Sequence, residues 1–387
     1  MINPTRITHV ITDLATGGAE RMLAQLLCAQ PAQMVVTSVI SLTSGGSVAE
    51  EIQDMGIRVR SLGMRPGKPN PFSCFRLSRW LREEKSDLVQ TWMYHADLVG
   101  GMAARLAGNI PVVWGIHNYS LDSAHVKKST ILTVRLNAVL SRWLPAKIIS
   151  VSRAACQVHE QLGYDYKKMV IIPNGIDLGK FHPDLKSHQD VRVELEIRDK
   201  SYLVGLIARF DPLKDHHNFI QAADKMLTQN PDINFLLCGE GITWQNPVLA
   251  GWIESTRLPS HFHLLGLRQD IPRLLSALDL AVLSSIGEAF PIIICEAMAC
   301  GVPCVVTDTG DSALLVGDTG KVVPPRDSQK LADACLEMLS LPFIDRQNLG
   351  RAARRRIEEN FEIHTIADRY ADLYRNILEK DSHEMGH

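Results

Sequence analysis

Short runs rich in Val and Ile recur along the chain, separated by longer segments whose apolar residues fall at helical spacing. That alternation is the pattern of parallel sheets covered by helices, so the fold class is α/β. In the first half it predicts strands near 6–12, 33–41, 57–62, 87–91, 111–116, 147–151 and 169–172, with helices between them. After the turn cluster Pro173, Asn174, Gly175 the chain is polar and charged through Asp199, which suits a crossing between domains and then a surface helix. A second series follows, with strands near 202–208, 233–238, 261–265, 279–284 and 303–307 and a short extended piece at 321–323. From Asp327 to about Lys380 the pattern is helical only. Domains of 1–175 and 176–360 result, with a last helix near 361–380 expected to pack back on the first.

Composition narrows this picture. A chain of 387 residues, 45% apolar, exceeds what one hydrophobic core usually covers, which again favours two domains. Lys plus Arg number 41 and Asp plus Glu 43, so no global charge draws the protein to nucleic acid. The eight cysteines lie in apolar segments, and Cys295, Cys300 and Cys304 lack both zinc-ligand spacing and a CxxC pair; they are expected to be reduced core residues. Met1 runs directly into a strand-like Arg6 to Thr12, without the apolar core of a signal peptide. No window reaches the roughly 18 consecutive apolar residues of a membrane span, and the expected location is cytoplasmic.

The most informative stretch runs from Gly287 to Pro303 and reads as strand, loop, helix, strand. Pro291 suits the first helical position, and Gly301 with Pro303 suits the end. The unpaired N–H groups near Ile292 and Ile293 would open at the carboxyl end of the preceding strand, where an open α/β sheet binds ligands and a diphosphate is favoured. Glu288 lies in the loop before the helix and Glu296 one to two turns inside it, so the two are not a close carboxylate pair. They fit different parts of one ligand, such as hydroxyls on either side of its phosphates. A capped helix with two incidental acids also fits.

Arg209 follows a buried strand and Lys214 precedes a helix, which allows both cations to face the same crevice and neutralise a leaving diphosphate. Two solvated surface charges fit as well. Gly239 and Gly241 close another strand with residues that allow close backbone approach. The Gly17, Gly18 loop after the first strand lacks G-x-G-x-x-G spacing, which disfavours a nicotinamide dehydrogenase. His117 ends the run Val112 to Ile116 at the carboxyl edge of a strand, where a hydrogen-bonded structural role is the alternative. Between Ala124 and Lys147, Lys127, Lys128, Arg135, Arg142 and Lys147 accompany Ile131, Leu132, Val134, Leu136, Val139, Leu140 and Trp143. This fits a helix on anionic lipid, and equally a helix covering the sheet.

Together the Gly17, Gly18 loop, the run Val151 to Ala154, the turn Pro173 to Asp177, the Arg209 and Lys214 pair and the Glu288-x7-Glu296 element resemble glycosyltransferase family 4 over nearly the whole chain. The resemblance implies the GT-B fold, two Rossmann-like domains with parallel sheets facing a central cleft, the first on the acceptor side and the second binding the nucleotide sugar. It implies that Arg209 and Lys214 hold the donor diphosphate with backbone near Ile292 and Ile293, that Glu288 faces the transferred sugar and that Glu296 holds the ribose. His117 would lie beside the sugar, approached by the Gly17, Gly18 loop, and the base would fit near Leu265 to Arg268. The implied donor-side set is Gly17, Gly18, Gly239, Leu267, Arg268, Phe290, Pro291, Ile292, Ile293 and Glu296. Ile292 departs from the family, where a small or polar residue commonly follows the proline.

Family members retain anomeric configuration without a metal ion or other cofactor, by same-face attack in which the leaving diphosphate helps deprotonate the acceptor. The stretch Glu288 to Asp311 is closest to the bacterial surface-polysaccharide branch, which implies a UDP-sugar, or a GDP-sugar, as donor and a glycan or lipid-linked acceptor at the inner membrane face. Two other classes stay open: a nucleotide-sugar epimerase or hydrolase of the same shape, and a non-catalytic nucleotide- or glycan-binding partner in a synthesis complex.

Overall fold

A computed structural model of the chain describes residues 5–15, 17–31, 34–65, 71–117, 127–198 and 200–384. The readings at Met1, Thr16, Gln33, Asn118, 124–126 and Asp199 lie outside the described residues. The chain divides into two compact units, Met1–Gly175 with Ile363–His387, and Ile176–Glu362.

In the first unit, strands β1 (Thr5–Ile11), β2 (Met34–Ser41), β3 (Val59–Ser61), β4 (Leu88–Trp92), β5 (Val112–Ile116), β6 (Lys147–Ser150) and β7 (Met169–Ile171) form one sheet in the order β3-β2-β1-β4-β5-β6-β7. In the second, β8 (Tyr202–Ile207), β9 (Ile233–Cys238), β10 (Phe262–Leu264), β11 (Leu280–Leu283), β12 (Cys304–Thr307) and β13 (Lys321–Val323) form a sheet ordered β10-β9-β8-β11-β12-β13. The registered pairings are parallel in both sheets. Parallel strands need covered crossovers, so central strands are apolar on both faces, and β4, β5 and β11 are buried along their whole length.

The strand order reverses between β1 and β4 in one sheet and between β8 and β11 in the other. Such a reversal opens a crevice beyond the carboxyl ends of the two strands. The last helix, Ile363–Glu384, belongs to the first unit; Ile366, Tyr370 and Tyr374 pack in the core beneath β1 and β4, and Tyr374 Oη donates to Gln90 Oε1 at 3.0 Å.

Three sequence readings need correction. Of the basic segment 124–147, the described residues are helical only over Lys128–Leu140; turns follow, Pro145 has no N–H to continue a helix, and Lys147 opens β6. Pro291 is the residue before the helix rather than its first residue, with Ile292–Ala299 helical and the Pro291 carbonyl accepting from the Ile294 N–H at 3.0 Å. Six cysteines are buried, but Cys28 is exposed at the last position of helix Gly18–Cys28 and Cys156 is half-buried; none of the eight is in a disulfide. Among the described residues no helix is long and apolar enough to cross a membrane.

Candidate functional site

The crevice between β8 and β11 holds the densest charged cluster of the sequence reading. The chain leaving β8 and the chain leaving β11 are tied by backbone: the Ile286 N–H donates to the Leu213 carbonyl at 2.8 Å and Ser284 Oγ to the Lys214 carbonyl at 2.7 Å. These ties carry Lys214 to Glu288, and Lys214 Nζ lies 2.5 Å from Glu288 Oε1. Ser285 Oγ donates to the same oxygen at 2.7 Å, while Thr307 Oγ1, at the end of β12, holds the Ser285 carbonyl at 2.6 Å. Both charged side chains are largely covered, Lys214 at 22% exposure and Glu288 at 10%, so the pair is screened less than a surface ion pair.

Arg209 is more open. Its Nε and Nη2 both donate to Asp211 Oδ2, at 3.1 and 3.0 Å, and Asp211 Oδ1 accepts from the Leu213 N–H at 2.9 Å. Partial burial pushes the Asp211 carboxyl up, but the Leu213 N–H and the Arg209 guanidinium outweigh it and hold it below its ordinary range. Asp211 was not singled out from sequence; its signal is a position two residues before Leu213 at the start of a tight turn, where Asp caps backbone N–H groups. With the Arg209 side chain 63% exposed, this cation is clamped in direction yet open to a ligand.

The helix Ile292–Ala299 begins just beyond Glu288, and its first N–H groups have no partner within the helix. Glu296 is buried on it at 9% exposure. Phe290, expected on the donor side, turns its ring into the core against Phe361, centroids 5.7 Å apart, so only its backbone is left for a ligand. Gly310, which sequence placed in the motif without a role, sits at φ +55° beneath the loop, and a Cβ there would lie 2.1 Å from the Glu288 carbonyl oxygen. Gly239, at the end of β9, has φ +151° and room for a Cβ only 2.2 Å from the Ala208 carbonyl. That close approach seats the β8 exit beside the β9 exit.

Leu267 is 72% exposed. The Arg268 guanidinium is held by acids, donating to Asp270 Oδ1 and Oδ2 at 2.8 and 2.7 Å and to Glu194 at 3.0 Å. Two carboxylates take three of its five N–H groups, and the Arg268 bonds pull the Asp270 carboxyl down to about 2.

In the first unit the Gly17, Gly18 loop follows β1, with Gly17 as the residue before helix Gly18–Cys28. The Glu20 carboxylate lies so close that a Cβ on Gly17 would meet Oε2 at 2.3 Å. Burial, then the neighbouring Asp13 charge, lift the Glu20 carboxyl to about 7 against the pull of its own N–H. His117 leaves β5 and stacks on Trp92, centroids 4.8 Å apart at 20°, while Trp92 Nε1 donates to His9 Nδ1 at 3.0 Å. The Nε2 atom of His117 is buried, and burial lowers its pKa to about 3. It therefore stays a neutral imidazole, able to meet a hydroxyl but not to supply a charge.

This has a pH consequence. A histidine whose folded pKa lies far below 6.5 contributes stability in full above pH 6.5 and loses it as pH falls toward 3. The stability advantage of the native protein over His117→Asn is expected to shrink by roughly 1–2 kcal/mol between pH 8 and pH 5, measured by urea unfolding at each pH. A constant advantage would mean that folding leaves the His117 pKa where it stands in the unfolded chain.

With this geometry in hand, comparison with known proteins decides the family. A family model described as Glycosyltransferase Family 4 matches residues 16–180, and one described as Glycosyl transferases group 1 matches residues 187–356. The chain belongs to glycosyltransferase family 4. The family 4 chain is 28% identical over 311 residues, 79% of either protein, to the Escherichia coli UDP-Gal:alpha-D-GlcNAc-diphosphoundecaprenol alpha-1,3-galactosyltransferase. It is 27% identical to the Campylobacter jejuni N,N'-diacetylbacillosaminyl-diphospho-undecaprenol alpha-1,3-N-acetylgalactosaminyltransferase, over 85% of this chain and 88% of that one. Its fold matches that of Anabaena HepE, crystallised with UDP-glucose, at a TM-score of 0.82 and 23% identity, covering 96% of this chain and 99% of that one. The likeness shows the GT-B fold for this family 4 transferase.

Proposed function

We propose that this transferase moves a sugar from a UDP-sugar to a lipid-linked or polysaccharide acceptor at the membrane face, with retention, forming an α-glycosidic bond. The single observation that carries the reading is the Lys214–Glu288 pair at the reversal of the second sheet, beside the open end of helix Ile292–Ala299. The activities of the two bacterial relatives, both named for diphosphoundecaprenol-linked sugars, and the UDP-glucose bound by HepE support it.

In this account the pair is a resting arrangement. A diphosphate entering at the helix opening competes with Glu288 for Lys214, and Lys214 with Arg209 takes the phosphate oxygens. Glu288, held by Ser285, is released to accept hydrogen bonds from the sugar hydroxyls. Charge then builds on the leaving UDP, where two fixed cations and a helix N-terminus already point, and stabilisation there exceeds that of the bound donor. The leaving phosphate takes the acceptor proton on the same face. Glu296, buried one turn further in, is assigned to the ribose.

Because the cations are side chains, the rate is expected to be unchanged by EDTA. The direct test incubates the protein with UDP-sugars, with and without an undecaprenyl-diphosphate sugar, and follows UDP and glycolipid. Acceptor-dependent UDP release with an α-linked product is expected. A free UDP-sugar epimer, or hydrolysis at the same rate without acceptor, would overturn transfer. Glu296→Ala is expected to raise the donor KM about tenfold with a smaller change in kcat, as loss of a hydrogen bond made equally in ground and transition states requires.

A further inference from the structure

The helix Lys128–Leu140 is apolar on two opposite sides. Val134 and Ala138 are buried in the core with Trp114 and Tyr164, and buried Asn137 donates from Nδ2 to the Tyr94 carbonyl at 2.8 Å, so this side fixes the helix to its unit. At about 100° per residue, Leu132, Leu136 and Val139 fall within an arc of about 60° on the other side. They are exposed at 69%, 43% and 56%, and Trp143, in the turns that continue the helix, at 63%. Single exposed apolar residues are ordinary, but a continuous stripe of four is not.

Charge identifies what covers it. Lys128 and Arg135 border the stripe on one side, Lys127 and Arg142 stand exposed at its ends, and no acidic residue occurs from 127 to 147. Beyond the turn, Lys168 Nζ donates to the Arg142 and Pro145 carbonyls at 2.8 Å each, adding a cation at the Trp143 end. Asp165 beside it is turned to the Lys167 N–H.

We propose that this face docks the protein on an anionic phospholipid bilayer, with the helix lying in the plane of the interface. Leu132, Leu136 and Val139 enter the acyl boundary, Trp143 sits at the headgroup level, and the Lys and Arg side chains meet lipid phosphates. A second copy of this chain is a poor occupant, because a two-fold contact through the stripe would bring Lys128, Arg135 and Arg142 close to their own counterparts.

The test uses the full chain in flotation with vesicles of phosphatidylcholine alone or mixed with phosphatidylglycerol, without donor or acceptor, so that its outcome is separate from that of the transfer reaction. Binding is expected only to the anionic vesicles and to weaken with salt. Arg135→Glu with Arg142→Glu is expected to reduce it at least tenfold, given roughly fivefold for each charge removed, and Leu132→Ser with Val139→Ser to reduce it by a similar factor. Circular dichroism melts check that the variants fold, and Trp143→Phe is expected to abolish the blue shift in tryptophan fluorescence on adding vesicles. No flotation at low salt, flotation untouched by both pairs of substitutions, or a self-association that Leu132→Ser abolishes would overturn the proposal.

Discussion

Replacing Lys214 by Ala is expected to lower kcat for sugar transfer by about 10²–10³-fold, the usual cost of removing one preorganised group aimed at developing charge. The prediction follows from position. Lys214 lies beyond the carboxyl end of β8, tied to the β11 loop through the Leu213 carbonyl and its own, so its backbone is fixed beside Glu288. The substitution also removes the Lys214 cation from the Glu288 carboxylate, 10% exposed, while the Ser285 hydroxyl stays on it, which costs about 1–3 kcal/mol of stability. The two effects separate in a cycle with Glu288→Gln: the stability loss should shrink in the double variant, while the kcat loss should not. Single-turnover rates and urea unfolding read the two quantities independently.

Gly310→Ala is expected to destabilise the protein by about 2–5 kcal/mol, the sum of a left-handed backbone penalty of about 1–2 and an overpacking cost of about 1–3. Its φ of +55° is strained for any residue with a Cβ, and that Cβ would lie 2.1 Å from the Glu288 carbonyl and 2.9 Å from that of Ala289. Backbone cannot yield as a flexible side chain can, so the loop must shift. A displacement near 1 Å at a reacting group is enough for about 10²-fold in rate. Thermal unfolding and steady-state transfer should therefore fall together, in contrast to Lys214→Ala, where rate falls far more than stability.

Much of the fold was legible because parallel strands buried on both faces must be continuous apolar runs. β9 and β13 fall on the residues where the Val and Ile pattern puts them, and most other strands differ by one or two residues at an end. What sequence could not show was which side chains meet across distance. Lys214 and Glu288 are 74 residues apart and join only because β8 and β11 are neighbours in space. Leu265 to Arg268 is where the resemblance puts the base, and the sequence does not show that Asp270 and Glu194 take part of the Arg268 guanidinium. The role of Gly310 depends on a positive φ and a carbonyl from another loop, neither of which leaves a local pattern. Helix Lys128–Leu140 was ambiguous for a related reason: its apolar residues lie on both sides, and periodicity alone does not say which side is covered.

The proposed function requires that a UDP-sugar be gripped where Lys214 meets Glu288. Isothermal titration of the native protein and of Lys214→Ala with a panel of UDP-sugars tests this directly. Binding of at least one UDP-sugar by the native protein, and at least tenfold weaker binding of it by the variant, is expected. Equal affinity in both proteins, or no binding of any UDP-sugar to the native protein, would contradict it.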